Sequence, residues 1–302
     1  MSRRAAVFAL VLLPVTVPAE AAASDGPCAS SAHPHIAERL GARIERSLDE
    51  RAGVESVAVY DRERGIRCAV AGGRHYDSAS VVKATILAAL LRKAADERRP
   101  LTASERSRAR KMITRSDNGA ASSLWRSVGP ARIARFLDRA GMTHTALDPG
   151  GRWGLTQITA NDEVKLLEHF TSHNALLPDK ARAYALGLMH EVVPSQRWGT
   201  PAGRPTGITW HVKNGWLPRH NRYWRVHSIG AFDGHDLDRH GADYMIVVLT
   251  RDTPSMAYGV ETTERVARAV HRTLNQAKRP MTDRSIPNET WETSDGSVPP
   301  GV

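Results

Sequence analysis

Residues 81–91 are apolar or alanine at every position except Lys83 and Thr85. An unbroken apolar stretch of this kind predicts a helix covered on most sides rather than a surface helix with one wet face. Other elements must therefore wrap around it. Asp77, Ser78, Ala79 and Ser80 lead into the run, and Ser78 or Ser80 is expected to supply the N-cap. Lys83 follows Ser80 by three residues, which on a helix puts both side chains on one face. The ordinary reading is a cap and a lysine stretching to solvent. The chemical reading starts from burial, which disfavours the charged amine. A neutral lysine beside a hydroxyl can accept its proton and make the serine a nucleophile. The free amides of a helix start favour negative charge at the same place.

Hydrophobic spacing organises the rest of the chain. Ile36, Leu40, Ile44 and Leu48 predict a helix over 35–51, and 54–60 and 66–70 read as a strand pair around a polar turn at 61–65. Helices dominate 80–193. Strands return at 209–215, 223–232 and 243–250, and an amphipathic helix over 258–276 closes the pattern. These periods predict an α+β fold, an α/β sandwich in which an antiparallel sheet is flanked by terminal helices, with an all-helical subdomain at about 80–200 inserted in the sheet. A cleft between the two parts is the natural place for a small-molecule site. The expected domain spans 24–278, and the proline-rich polar segment 279–302 is expected to be disordered.

The first residues predict the compartment. Arg3 and Arg4 form a basic start, 5–17 is apolar, and Ala19 to Ala23 supply small residues for cleavage, so 1–23 reads as a secretory signal peptide. Its export route stays open, because Ser2, Arg3 and Arg4 begin a twin-arginine pattern that the next residues do not complete. The expected location is secreted or extracytoplasmic, with no membrane span after processing and no lipoprotein signal before Cys28. The two cysteines, Cys28 and Cys68, could pair in an oxidising compartment, closing a loop of about 40 residues for roughly 3–4 kcal/mol. Two unpaired thiols are the alternative. The net charge is +10, and +9 once Arg3, Arg4 and Glu20 are removed. The basic run 106–111 lacks aromatic neighbours and reads as a solvated helix face, so nucleic acid is not an expected partner.

Two further motifs follow the Ser80–Lys83 pair. Ser116, Asp117 and Asn118 stand between helical stretches, where they also make an ordinary turn and cap. Lys213, Asn214 and Gly215, followed by Trp216, stand on a predicted strand. The order S-x-x-K, S-D-N, K-x-G, each in its expected context, resembles the class A β-lactamases and related penicillin-recognising serine enzymes over residues 35–276. The resemblance implies that Ser80 attacks a carbonyl carbon to give an acyl-enzyme and that Lys83 takes or relays its proton. It implies that Ser116, with Lys213 nearby, protonates the departing nitrogen. Asn118 would hold the substrate amide and Lys213 its carboxylate. The backbone amides of Ser80 and Trp216 would bind the oxyanion, Gly215 would admit close approach, and Asn214 would stand where the family carries a hydroxyl. No cofactor or metal is implied, and the substrate would be a β-lactam or peptidoglycan-like amide met by a monomer.

One departure is chemical. Class A enzymes carry a loop with a glutamate that activates the deacylating water, and the segment 149–154 here holds none. Asp148 is the nearest carboxylate, with a turn or an arginine partner as its expected role. Acylation is therefore expected, and fast hydrolysis is not. The other readings are a D-alanyl-D-alanine carboxypeptidase-like enzyme and a non-hydrolytic binder of β-lactams or cell-wall peptide. His190 and Glu191 begin a zinc-helix pattern that Pro194 breaks, and Asp233, His235, Asp236, Asp238 and His240 read as a polar hairpin rather than a metal site.

Overall fold

The computed structural model describes residues 26–219, 222–233 and 244–275. The expected signal peptide 1–23, the tail 279–302 and the hairpin residues His235, Asp236, Asp238 and His240 lie outside the described residues. In chain order the elements are β1 (Cys28–Ala29), α1 (Pro34–Leu48), β2 (Val54–Asp61), β3 (Ile66–Val70), β4 (Tyr76–Asp77), α2 (Val82–Asp96), α3 (Ala103–Thr114), α4 (Asn118–Val128) and α5 (Pro130–Arg139). Then come β5 (Gln157–Ile158), α6 (Ala160–Thr171), α7 (Asp179–His190), β6 (Thr209–Pro218), β7 (Trp224–Asp233), β8 (Tyr244–Thr253) and α8 (Met256–Leu274). Single 3-10 turns stand at Ala79–Val81, Trp153–Leu155 and Pro194–Gln196.

The main sheet has six strands in the order β1-β3-β2-β8-β7-β6, every pair antiparallel. Its central strands are apolar on both faces because both faces are covered. Ala58, Met245, Val247, Leu249, Ile229 and Ala231 join the core built around α2, whereas Val57, Val59, Ile246, Val248, Val212 and Phe232 join the core under α1 and α8. Neighbouring residues of β8 thus alternate between two cores, as the period-two geometry of a strand requires. The terminal helices α1 and α8 fill one side. Helices α2 to α7, inserted between β3 and β6, fill the other. This is the α+β architecture expected from the sequence.

Helix α2 is the centre of the larger core. Every residue from Val82 to Leu91 is buried, Lys83 included, so its covering by α3, α4, α5 and α7 is what the apolar run demanded. The expected serine cap is corrected. Neither Ser78 nor Ser80 caps a helix with its side chain; Val81 holds the N-cap position of α2 with no side-chain bond. A 3-10 turn precedes the helix, and the serine hydroxyls are engaged elsewhere. Cys28 and Cys68 face each other across β1 and β3 and are joined in a disulfide with a sequence separation of 40. The short sheet of β4 and β5 is an addition to the sequence reading. Strands of two residues are too short for alternation to be read, yet this pair pulls the connection 148–156 against the start of α2.

Candidate active site

Ser80 is positioned by backbone packing from three directions. Ala79 adopts φ 46, the left-handed region that costs a residue with a Cβ, and this bend opens the turn that carries Ser80. The Ser78 amide donates to the Thr156 carbonyl at 2.9 Å, and the Ser78 hydroxyl reaches the carbonyls of Trp153 and Gly154 at 3.3 and 3.4 Å. From the sheet side, His227 Nε2 lies 2.8 Å from the Asp77 carbonyl while the Thr250 amide donates to His227 Nδ1 at 3.1 Å. Burial holds the His227 pKa down to about 4, so the ring is neutral with its proton on Nε2, and it props the residue that enters the turn. From the third side, Gly215 of β6 approaches so closely that an added Cβ would lie 2.8 Å from the Ser80 nitrogen and 2.9 Å from that of Val81.

The side chains then converge. Lys83 Nζ donates to Ser80 Oγ at 2.6 Å, to the Ser116 carbonyl at 2.6 Å, to Ser116 Oγ at 3.0 Å and to Asn118 Oδ1 at 2.6 Å. An ammonium has three hydrogens, so four oxygen neighbours surround it with more acceptors than it can fill at once. Lys213 Nζ reaches Ser116 Oγ at 3.1 Å and the Asn214 carbonyl at 2.6 Å. Ser116 therefore stands between two lysines. It does so from a left-handed backbone, φ 55, at the junction of α3 and α4. Asp117 accepts from the Ala120 amide at 2.6 Å and caps α4, fixing Ser116 and Asn118 on either side of it. Ser80, Lys83 and Lys213 are buried, as is Ser116, so these contacts act where water screens them little.

The structure brings Ser80, Lys83, Ser116, Asn118, Lys213 and the Gly215 backbone together. The Asn214 side chain, expected where the family carries a hydroxyl, points elsewhere, and so does the Trp216 ring. The Asn214 side-chain amide donates to the carbonyls of Gln196 and Trp198, each at 2.9 Å, and so ties the 194–198 connection to β6. The Trp216 ring is buried against Trp198, Val226, Met256 and Val260. Period-two alternation explains both, since Lys213 and Gly215 face the helices while the intervening and following side chains turn away.

Three further residues lacked a sequence signal. Trp153 places its ring 4.9 Å from Lys83 Nζ and donates from Nε1 to Ser122 Oγ at 3.1 Å. Asp77 accepts from Gln157 Nε2 at 2.8 Å and lies 3.4 Å from Arg225 Nε. Glu163 on α6 is fully buried, neither carboxyl oxygen has a hydrogen-bond partner, and loss of hydration with Asp162 alongside raises its pKa to about 8. The contacts of Trp153 and Asp77 run across tens of residues, beyond any local pattern. Asp148 has its expected arginine partner: Arg152 binds it through Nε at 2.9 Å and Nη2 at 3.0 Å, which holds its pKa below the usual carboxylate range. Among the described residues no group of His, Cys, Asp and Glu is arranged to hold a metal ion.

Fold and site together define a protein of the class A β-lactamase architecture. The TLA-3 extended-spectrum beta-lactamase superposes with a TM-score of 0.70 at 18% identity, covering 78% of this chain and 98% of that one. A class A beta-lactamase from Bacteroides cellulosilyticus gives 0.69 at 16% identity, covering 80% and 99%. The model of the beta-lactamase enzyme family matches residues 98–274, and the chain belongs to that family. The matched stretch begins after Ser80 and Lys83, so that pair rests on its sequence motif and its geometry. A protein of Mycobacterium tuberculosis named "Putative lipoprotein LppW" is 28% identical over 219 residues, 68% of each chain.

Proposed function

We propose that this chain is an exported serine hydrolase that forms an acyl-enzyme through Ser80 with β-lactams or related cell-wall amides. The observation that carries the reading is the relay Ser80 Oγ, Lys83 Nζ, Ser116 Oγ, Lys213 Nζ, with successive separations of 2.6, 3.0 and 3.1 Å. In its amine form, reached by giving up one of its own protons, Lys83 takes the Ser80 proton as Oγ bonds to the amide carbonyl carbon. The carbonyl oxygen gains charge, and the Ser80 and Trp216 amides are the candidate donors to it, a reading supported by the packing of Gly215 on the Ser80 nitrogen. When the carbon–nitrogen bond breaks, Ser116 gives its proton to the nitrogen and is refilled from Lys83, so the proton lost by Ser80 ends on the leaving group. Lys213 supplies positive charge for a substrate carboxylate, and Asn118 its side-chain amide for substrate binding.

The test is intact-protein mass spectrometry with benzylpenicillin beside a chromogenic cephalosporin assay. Ser80→Ala is expected to lose both adduct and turnover, and labelling that survives the substitution refutes the assignment. A second reading, a carboxypeptidase-like enzyme or non-hydrolytic binder, is favoured by the engagement of Asp148 with Arg152, which leaves the connection 148–156 without a free carboxylate. A lasting adduct without cephalosporin turnover supports it. The leader pattern of 1–23, the Cys28–Cys68 disulfide and the lipoprotein name of the mycobacterial relative support an extracytoplasmic location. Cys28 itself is bonded to Cys68 and offers no thiol for a lipid. Among the described residues no helix is long and apolar enough to cross a membrane.

A further inference from the structure

We infer that Trp153 controls the lifetime of the acyl group on Ser80, its indole filling the space beside Lys83 that a hydrolytic water would need. The inference rests on acylation of Ser80 as proposed above. Hydrolysis of such an ester requires a water oxygen to bond to the carbonyl carbon, the carbon–Oγ bond to break, and the water's proton to reach Oγ by way of a base. Lys83 is the base within reach of Oγ, so the water has to sit against both.

That position is contested by an aromatic ring. The indole lies 4.9 Å from Lys83 Nζ, and Lys83 Nζ is itself 2.6 Å from Ser80 Oγ. The residue is held by its side chain and by its backbone. Nε1 donates to Ser122 Oγ on α4 at 3.1 Å, and the Trp153 carbonyl accepts from the Ser78 hydroxyl at 3.3 Å. It is also buried in the core around α2. Movement of the ring therefore requires loss of core contacts as well as a hydrogen bond. The cation–π contact further gives Lys83 an apolar neighbour on the side where a water would otherwise bind. A substitution that removes the indole leaves space beside Ser122 Oγ and Lys83 Nζ, the two polar groups that now touch the ring, enough partners to seat a water needing about 30 Å³.

The experiment follows benzylpenicillin adduct on the full chain by intact mass, recording the rate of formation and, after removal of free drug, the rate of decay. Trp153→Ala is expected to decay about tenfold to a hundredfold faster than the native adduct, at or below the 10² to 10⁴ that a positioned base contributes, with formation changed by less than about threefold. Trp153→Phe, which refills most of the space, is expected to keep the slow decay. Ser122→Ala, which frees the indole without emptying its place, is expected to fall between them and serves if Trp153→Ala does not fold. Equal decay of the native, Trp153→Ala and Ser122→Ala adducts overturns this inference alone. A native protein that forms no adduct overturns the acyl-enzyme reading and this one with it. Faster decay in Trp153→Phe equal to that of Trp153→Ala also overturns it, because space filling would then not be the cause.

Discussion

Replacing Gly215 by alanine tests how tightly β6 must pack on the nucleophile turn. The added methyl carbon would lie 2.8 Å from the Ser80 nitrogen, 2.9 Å from the Val81 nitrogen and 3.1 Å from the Ser78 carbonyl oxygen. All three are backbone atoms, so no side chain can swing aside. Ordinary contact begins near 3.4 Å, and relief requires β6 and the turn to separate by roughly 0.5 Å. Overpacking of this kind costs about 1–3 kcal/mol of stability. The same displacement parts the Ser80 amide from the Trp216 amide, and oxyanion donors act at about 2.7–3.1 Å. Losing one such donor costs roughly 2.7–4 kcal/mol, or a factor of about 10² to 10³ in rate. Stopped-flow or quenched mass measurement of acylation by benzylpenicillin should show that loss, with thermal unfolding as the check on folding. Gly73→Ala is the control, since nothing lies within 4 Å of a Cβ there. A Gly215→Ala protein that folds and acylates within about threefold of native would refute both the packing argument and the placement of the oxyanion donors.

Other outcomes are equally specific. Lys83→Met keeps the length of the side chain but leaves Ser80 Oγ, Asn118 Oδ1 and the Ser116 carbonyl without their donor; acylation should fall by about 10² to 10⁴, the contribution of a general base, while Ser80 remains intact by mass. Replacing Cys28 and Cys68 by serine together should lower unfolding free energy in urea by about 3–4 kcal/mol, and no change would mean that the native bridge adds nothing. Stability should peak near pH 7. Burial lowers His211 and His227 to about 4 and His271 to about 3; their unfolded forms bind protons first, so stability present above pH 6.5 is lost as pH falls toward 4, roughly 3 kcal/mol for each of the first two. Glu163 acts with the opposite sign: its pKa rises from 4.5 to about 8, so stability present below pH 4.5 is lost as pH rises to 8, roughly 5 kcal/mol. Glu163→Gln should flatten the alkaline side of a urea midpoint profile, and an unaltered slope between pH 5 and 8 would sink that account.

Much of this protein is written locally. The apolar run of α2 compelled a helical shell, and short apolar runs bounded by polar turns marked β2, β3, β6, β7 and β8, because pattern and burial are properties of neighbouring residues. Ser80 and Lys83 meet because an i, i+3 spacing is enough to bring a hydroxyl and an amine to 2.6 Å at a helix start. Ser116 and Lys213 were recognisable as motifs, yet their shared hydrogen bond at 3.1 Å spans 97 positions of chain and exists only because α3, α4 and β6 pack around α2. The side-chain directions of Asn214 and Trp216 were decided in the same way, by which face of β6 the helices cover. So were the left-handed turns at Ala79 and Ser116, the neutral His227 under Asp77, and the indole of Trp153 against Lys83. Sequence determined which groups could carry acyl chemistry. Tertiary packing decided which of them touch, which stay uncharged and which side of the lysine water can reach, because those properties depend on desolvation and contact between distant segments.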